Sequence, residues 1–232
     1  MEQAAEKARS EFKWEAVDPI RLERYLLGAN DPDLADFDGR TFLHHAAKAG
    51  AAGCVRMLLR NGADPLKLDR WGLLPAHLAE EAGSLDTLRV FVEEFGLSPD
   101  MSNGNGWSLL HSASERGHLE TVRWLLFRGA RPIVCNEAGS TPLHYACSGR
   151  ALPVVQFLVE GGHIPVNYAN PVGWTPLHYA ADGGSLSVVE WMCFHGANAQ
   201  AVEANGETPL EVAVRKGFAD VAEFLLKHTT RS

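Results

Sequence analysis

The stretch GWTPLHYAADGG, residues 173–184, sets a histidine, a tyrosine and an aspartate within five residues of one another. Such a grouping invites a catalytic or metal-binding reading. The phrase returns, however, as GRTFLHHAAKAG (39–50), GLLPAHLAEEAG (72–83), GWSLLHSASERG (106–117), GSTPLHYACSGR (139–150) and GETPLEVAVRKG (206–217). The opening glycines, Gly39, Gly72, Gly106, Gly139, Gly173 and Gly206, lie 33, 34, 33, 34 and 33 residues apart. A fixed period of this length marks a stacked array of one supersecondary unit.

Within a unit the apolar and small positions recur at helical spacing. In the fifth copy they are Leu177, Ala180 and Ala181, then Leu186, Val188, Val189 and Met192, which reads as two short helices. Gly50, Gly83, Gly117, Gly184 and Gly217 fall between the two helices, with Arg150 in the fourth copy; a glycine there supports a tight turn and antiparallel helices. The stretches NGADPLKLDRWG (61–72) and RGARPIVCNEAG (128–139) follow second helices. Glycine ends the helix, proline discourages its return, and a second glycine closes a hairpin turn.

Composition bounds what such an array can do. The chain has 232 residues, 46% of them hydrophobic and 22% charged, enough for a sizeable core. A net charge of -8, with no long basic run, argues against nucleic acid as a partner. No apolar run is long enough to cross a bilayer, and the start MEQAAEKARSE is too charged for a secretory signal. The four cysteines form no C-x-x-C pair and no N-x-[ST] sequon accompanies them; a reducing cytoplasm or nucleus is the expected location.

The repeat resembles the ankyrin repeat. TPLHYA at 141–146 and 175–180, VRMLLRNGAD at 55–64 and VRWLLFRGA at 122–130 match that family's signature, and the resemblance covers about residues 36–228. Leu74 and Ser108 replace its threonine, Phe42 and Leu109 its proline and Ala76 its leucine, while one-residue insertions fall near Phe95 and around residues 161–163. The resemblance implies an all-α ankyrin-repeat solenoid of stacked antiparallel helix pairs with projecting β-hairpin loops. We divide it into an N-terminal capping repeat over residues 1–35, five repeats over 36–202 and a C-terminal capping repeat over 203–232, in one continuous domain. The charged Lys216, Asp220, Glu223 and Lys227 side of the last pair suits a cap.

The histidine column, His44, His77, His111, His144 and His178, ends in Glu211. In the resembling repeats this side chain is a structural hydrogen-bonder that ties the helix start to the neighbouring loop. The competing reading pairs His77 with Glu81, His111 with Glu115 and His178 with Asp182 one helical turn on, but two ligands fall short of the three or four a zinc site needs. No G-x-S-x-G, P-loop or H-E-x-x-H motif is present. We therefore expect no metal, no cofactor and no catalysis.

Positions the repeat does not need are more informative. The hairpin tips and outward first-helix residues line the concave face of such a stack and commonly carry partner contacts. Sorted by column they give Trp71, Leu73, Trp107, Trp174, Arg40 and Glu137 at the hairpins, and Glu81, Glu115, Arg116 and Asp182 on the first helices. The expectation is a monomer that binds a protein partner there, as scaffold, inhibitor or assembly chaperone. Tryptophan anchors would supply affinity and the acidic residues would steer a basic partner. In length and repeat number the chain resembles the proteasome assembly chaperone of the same family. Trp124 and Trp191 are expected in the core. An alternative makes the protein a substrate of an asparaginyl hydroxylase at Asn167, the nearest match to the position modified in that family.

Overall fold

A computed structural model describes residues 31–161 and 163–230. Most of the expected N-terminal cap, residues 1–30, lies outside the described residues. The chain divides into two compact units, Met1–Asn105 and Gly106–Ser232. In the first, helix pairs are formed by α1 (Phe42–Lys48) with α2 (Ala52–Arg60) and by α3 (Pro75–Glu81) with α4 (Leu85–Arg89). In the second they are α5 (Leu109–Arg116) with α6 (Leu119–Phe127), α7 (Pro142–Ser148) with α8 (Leu152–Glu160), α9 (Pro176–Gly183) with α10 (Leu186–Phe194), and α11 (Pro209–Lys216) with α12 (Ala219–Thr229).

Helices of seven to nine residues, such as α1 and α2, do not hold themselves up in water. Their starts are fixed by sequence: proline occupies the first turn of α3, α7, α9 and α11, where its missing N–H is no loss. Their stability comes from stacking. In the first unit α1 packs on α3; in the second α5 packs on α7, α7 on α9 and α9 on α11, with α8, α10 and α12 following behind. Leu43, Ala46, Ala47 and Leu78 are sealed in one core, and Leu110, Ala113, Leu143, Ala146, Leu177 and Ala180 in the other.

The turn between paired helices needs a left-handed residue. Gly50, Gly83, Gly117, Gly184 and Gly217 supply it, and Arg150 adopts the same region with φ 61°, anchored by its Nε donating to the Gly183 carbonyl at 2.8 Å. The insertion near Phe95 is absorbed as a π-helical turn over Val90–Glu94, in which Phe95 N–H bonds the Val90 carbonyl five residues back. The insertion at residues 161–163 is taken up in the loop, where the N–H groups of His163 and Ile164 both reach the Leu158 carbonyl.

The hairpins are reduced to their turns; the described residues contain no extended strand, but isolated bridge residues such as the pair Ala35–Thr41. Each turn closes on itself, as where Asp69 N–H bonds the Leu73 carbonyl at 3.0 Å and Gly72 N–H the Asp69 carbonyl at 2.9 Å. Successive hairpins join through Arg70 N–H to the Asp38 carbonyl and Ala204 N–H to the Val172 carbonyl. Pro171 stands in the same place and has no N–H to give, while its ring lies against Gly139, where an added Cβ would sit 2.1 Å from Cδ.

Candidate protein-binding surface

Four of the five histidines in the column are structural; the fifth, His77, is buried behind Leu74, whose side chain offers Nδ1 no hydroxyl. Thr141 at the start of α7 donates its backbone N–H and is joined by its hydroxyl to Nδ1 of His144, at 3.0 and 2.9 Å, and Nε2 of the same ring meets the Trp174 carbonyl at 3.1 Å. The Nε2–H tautomer is the one that serves both bonds. His44 reaches the Leu73 carbonyl in this way, His111 that of Ser140 and His178 that of Glu207. Burial lowers the pKa of His44 and His178, and pushes His144 down to about 4 against the pull of the Trp174 and Tyr168 carbonyls. With both nitrogens committed, the rings of His111 and His178 have none left for Glu115 or Asp182. Among the described residues no three His, Cys, Asp or Glu side chains converge as a metal site. At the end of the column Glu211 takes the capping role, its carboxylate accepting from the Thr208 N–H and hydroxyl.

A second column shapes the hairpins. Asp36, Asp69, Asn103, Asn136, Asn170 and Glu203 each stand three residues before a hairpin glycine. In five of them the side-chain oxygen accepts two backbone N–H groups of the turn: Asp38 and Arg40 for Asp36, Trp71 and Leu73 for Asp69, Ala138 and Ser140 for Asn136, Val172 and Trp174 for Asn170, Asn205 and Glu207 for Glu203. Sorting the sequence by column would have found them, since every member is an acid or an amide.

In the first unit Trp71 is 52% exposed at the hairpin tip. The Arg40 guanidinium lies 4.5 Å from its ring centroid and that of Arg70 5.3 Å. Both cations are held from behind, Arg40 by buried Asp69 and Arg70 by Asp38. Phe37, Leu66 and Leu68 are exposed beside this hairpin in the chain, whereas Leu73 is only half-buried and serves through its carbonyl. Trp71 therefore presents an indole stacked on cations, with its apolar body to solvent.

In the second unit the structure brings together a row of rings that column-by-column reading did not. Trp107 meets Tyr145 edge-on at 4.4 Å, Tyr145 meets Tyr179 at 5.6 Å, and Tyr179 meets Trp174 at 5.4 Å. All four are half-buried. The Tyr145 hydroxyl accepts from Asn136 Nδ2 at 2.7 Å, the Tyr179 hydroxyl pairs with Ser140 Oγ at 2.7 Å, and the Trp174 indole N–H donates to Glu203 at 3.2 Å. Burial raises the Glu203 carboxyl, but the Glu207 and Asn205 N–H groups and this indole outweigh it and hold it below the usual range. Trp107 and Trp174 are thus braced against the fold and show one side only. Trp124 is buried as expected, at 9% exposure; Trp191 is half-buried, its ring stacked at 3.8 Å on His195.

The charged candidates divide. Glu137 is exposed at its hairpin, Glu81 is exposed at the end of α3, and Arg116 is exposed beside half-buried Glu115 at the end of α5. Asp182 is tied to Lys216 at 2.8 Å, so its charge is answered within the fold. Asn167 lies in a loop, where its Nδ2 donates to the Gly196 carbonyl and its Oδ1 accepts from Asn198 N–H; both amide atoms are in use. Cys54, Cys147 and Cys193 are buried and Cys135 is exposed. Burial alone raises the Cys147 and Cys193 thiols, the latter to about 11.

Comparison with known proteins agrees with this architecture. The family profile described as Ankyrin repeats (3 copies) matches in overlapping segments at residues 21–103, 53–134, 79–169, 132–203 and 163–231. The chain is 28% identical over 197 residues to the human SH3 and multiple ankyrin repeat domains protein 2, covering 84% of this chain and 9% of that protein. It is 32% identical over 145 residues to the mouse B-cell lymphoma 3 protein homolog, covering 61% and 32%. It therefore spans a third or less of the length of these relatives. Among solved structures it is similar to the human ASB11 ankyrin repeat domain, with TM-score 0.73 and 27% identity, over 94% of this chain and 98% of that one. With matched segments running from residue 21 to 231 on a stack of antiparallel helix pairs, the chain belongs to the ankyrin repeat family.

Proposed function

We propose that this protein is a non-catalytic interaction module that holds a protein partner on the face formed by its hairpins and first helices, the face expected to be concave in this family. Ankyrin repeat domains are generally protein-binding scaffolds, and a fold of this kind leaves its role to surface side chains. The observation that carries the reading is the braced aromatic row Trp107, Tyr145, Tyr179 and Trp174. Rings already fixed by hydrogen bonds, or in the case of Trp107 by ring contacts, lose little freedom on binding, so their contact area converts efficiently into affinity. In the first unit Trp71 and its flanking Arg40 and Arg70 offer a matching indole anchor.

In the second unit Glu137 and Glu115, and in the first unit Glu81, favour a partner with basic residues, with Arg116 fixing register and Asp182 acting through Lys216. Leu73 shapes the hairpin beneath Trp71. The three buried thiols suit a reducing compartment, the cytoplasm or nucleus. A photo-crosslinking residue placed at Glu137 in the full chain tests the reading. It should capture a discrete protein in cells, while the same residue at Glu120 on the second helix should not; equal capture at both sites would contradict it.

A further inference from the structure

The last described helix pair carries a groove of about 530 Å³ whose lining includes Leu210, Glu211, Val214, Arg215, Ala222 and Leu226. In the preceding repeat, 33 residues earlier, the same positions hold Leu177, His178, Ala181, Asp182, Val189 and Cys193. Of these the four apolar side chains are buried, since α11 packs on α9 and α12 on α10. One repeat further back Leu143, Cys147 and Val155 are buried at the corresponding places. On the last described pair Val214 is 62% and Leu226 54% exposed. The groove is therefore the stacking surface of the last described pair, the one expected to serve as the C-terminal cap; Glu211, Arg215 and Glu223 line it without covering Val214 and Leu226.

What covers it is narrowed by Glu211. Its counterparts His111, His144 and His178 give an Nε2–H to the carbonyl of the next hairpin. A carboxylate has no proton to give and would repel that carbonyl. Arg215 is bound by Glu207 and Lys227 by Glu223, but no cation of the described residues pairs with Glu211, whose carboxyl the Thr208 N–H and hydroxyl keep below its ordinary pKa. A second copy of this face would set Glu211 and Glu223 against their own kind. The cover that fits brings apolar side chains at helical spacing together with a cation.

We propose that this end face docks an amphipathic helix of a protein partner, its apolar stripe over Val214 and Leu226 and a lysine or arginine against Glu211. The inference stands independently of the hairpin face. The test is selection of helix-forming peptides of about 18 residues, five turns, from a display library on the full chain, with binding of the selected peptides then measured by fluorescence anisotropy. Selected peptides should carry leucine or isoleucine at i, i+4 and i+7 flanked by lysine or arginine. They should lose at least about tenfold in affinity on Val214→Glu with Leu226→Glu, both surface changes, and lose salt dependence on Glu211→Gln. Peptides that bind the double variant equally well, or that lack the basic residue, would overturn the proposal. So would self-association of the full chain, seen by sedimentation velocity and abolished in the double variant, since it would assign the face to a second copy.

Discussion

Lowering the pH from 7 to 5 should strip about 2 kcal/mol of stability from the protein through His144 alone. In the fold its pKa is pushed down to about 4, against 6.5 for an unburdened histidine, so the native ring is neutral where the unfolded one charges. The unfolded state then binds more protons, and stability present above the unfolded value is lost as pH falls from there toward 4. The physical reason is burial, which keeps water from a charged ring; the geometry of Nδ1 agrees with it, since that nitrogen accepts from the Thr141 N–H and a proton there would face that donor. The control is His144→Gln. Glutamine keeps the capping role that Glu211 plays in the last repeat but cannot titrate. At pH 7 it should be less stable by about 1–2 kcal/mol, because the bond to the Trp174 carbonyl is lost or lengthened. Urea unfolding followed by circular dichroism from pH 7 to 5 should show the two proteins converging, since the histidine contribution fades only in the parent. Parallel pH slopes would refute the assignment of this column as neutral struts.

Three further outcomes follow from particular contacts. Trp71→Ala should shift stability by no more than about 1 kcal/mol, the worth of exposed cation–π contacts, while weakening partner capture by at least about tenfold if Trp71 is an anchor; thermal melts and pull-down on the same samples separate the two. Trp174→Phe should destabilise by about 1 kcal/mol through the lost indole bond to Glu203, and Trp174→Ala by more, because Tyr179 and His178 lose a packed ring; a melting temperature unmoved in both would show that the brace is inert. In the native protein Cys135 should react with a thiol reagent well before Cys54, Cys147 and Cys193, which should become accessible only on unfolding; mass spectrometry of the labelled protein reads the order.

Much of this could be read from the chain because a repeat states its own grammar. The period places every described helix pair, and Arg150 is the exception in the turn column, where it adopts the left-handed backbone of the glycines. The histidine of GWTPLHYAADGG reads as a site in isolation and as architecture once its copies are aligned. What remained hidden lies in contacts that cross repeats. Tyr145 meets Trp107 from 38 residues away in sequence, and Asp182 finds Lys216 from 34; no pattern within one unit encodes either. The π-helical turn at Val90–Glu94 is the local answer to a visible insertion, but hydrogen-bond register, not composition, selects it. Trp191 and Leu226 occupy apolar positions of their helices and so read as core. The first is half-buried, with His195 stacked on its ring, and the end of the described array leaves the second uncovered.

The central claim, that the hairpin and first-helix face holds a protein partner, is tested most directly by quantitative affinity capture from cell lysate. The parent would be compared with a hairpin-face variant, Trp71→Ala with Glu137→Lys, and with an outer-face variant, Phe127→Ser with Phe194→Ser, after all three are shown to be folded. Phe127 and Phe194 are 80% and 73% exposed on the second helices, so the control alters apolar surface without touching the proposed site. The account predicts proteins retained by the parent and the outer-face variant and lost from the hairpin-face variant. Identical retention by all three, or loss confined to the outer-face variant, would contradict it.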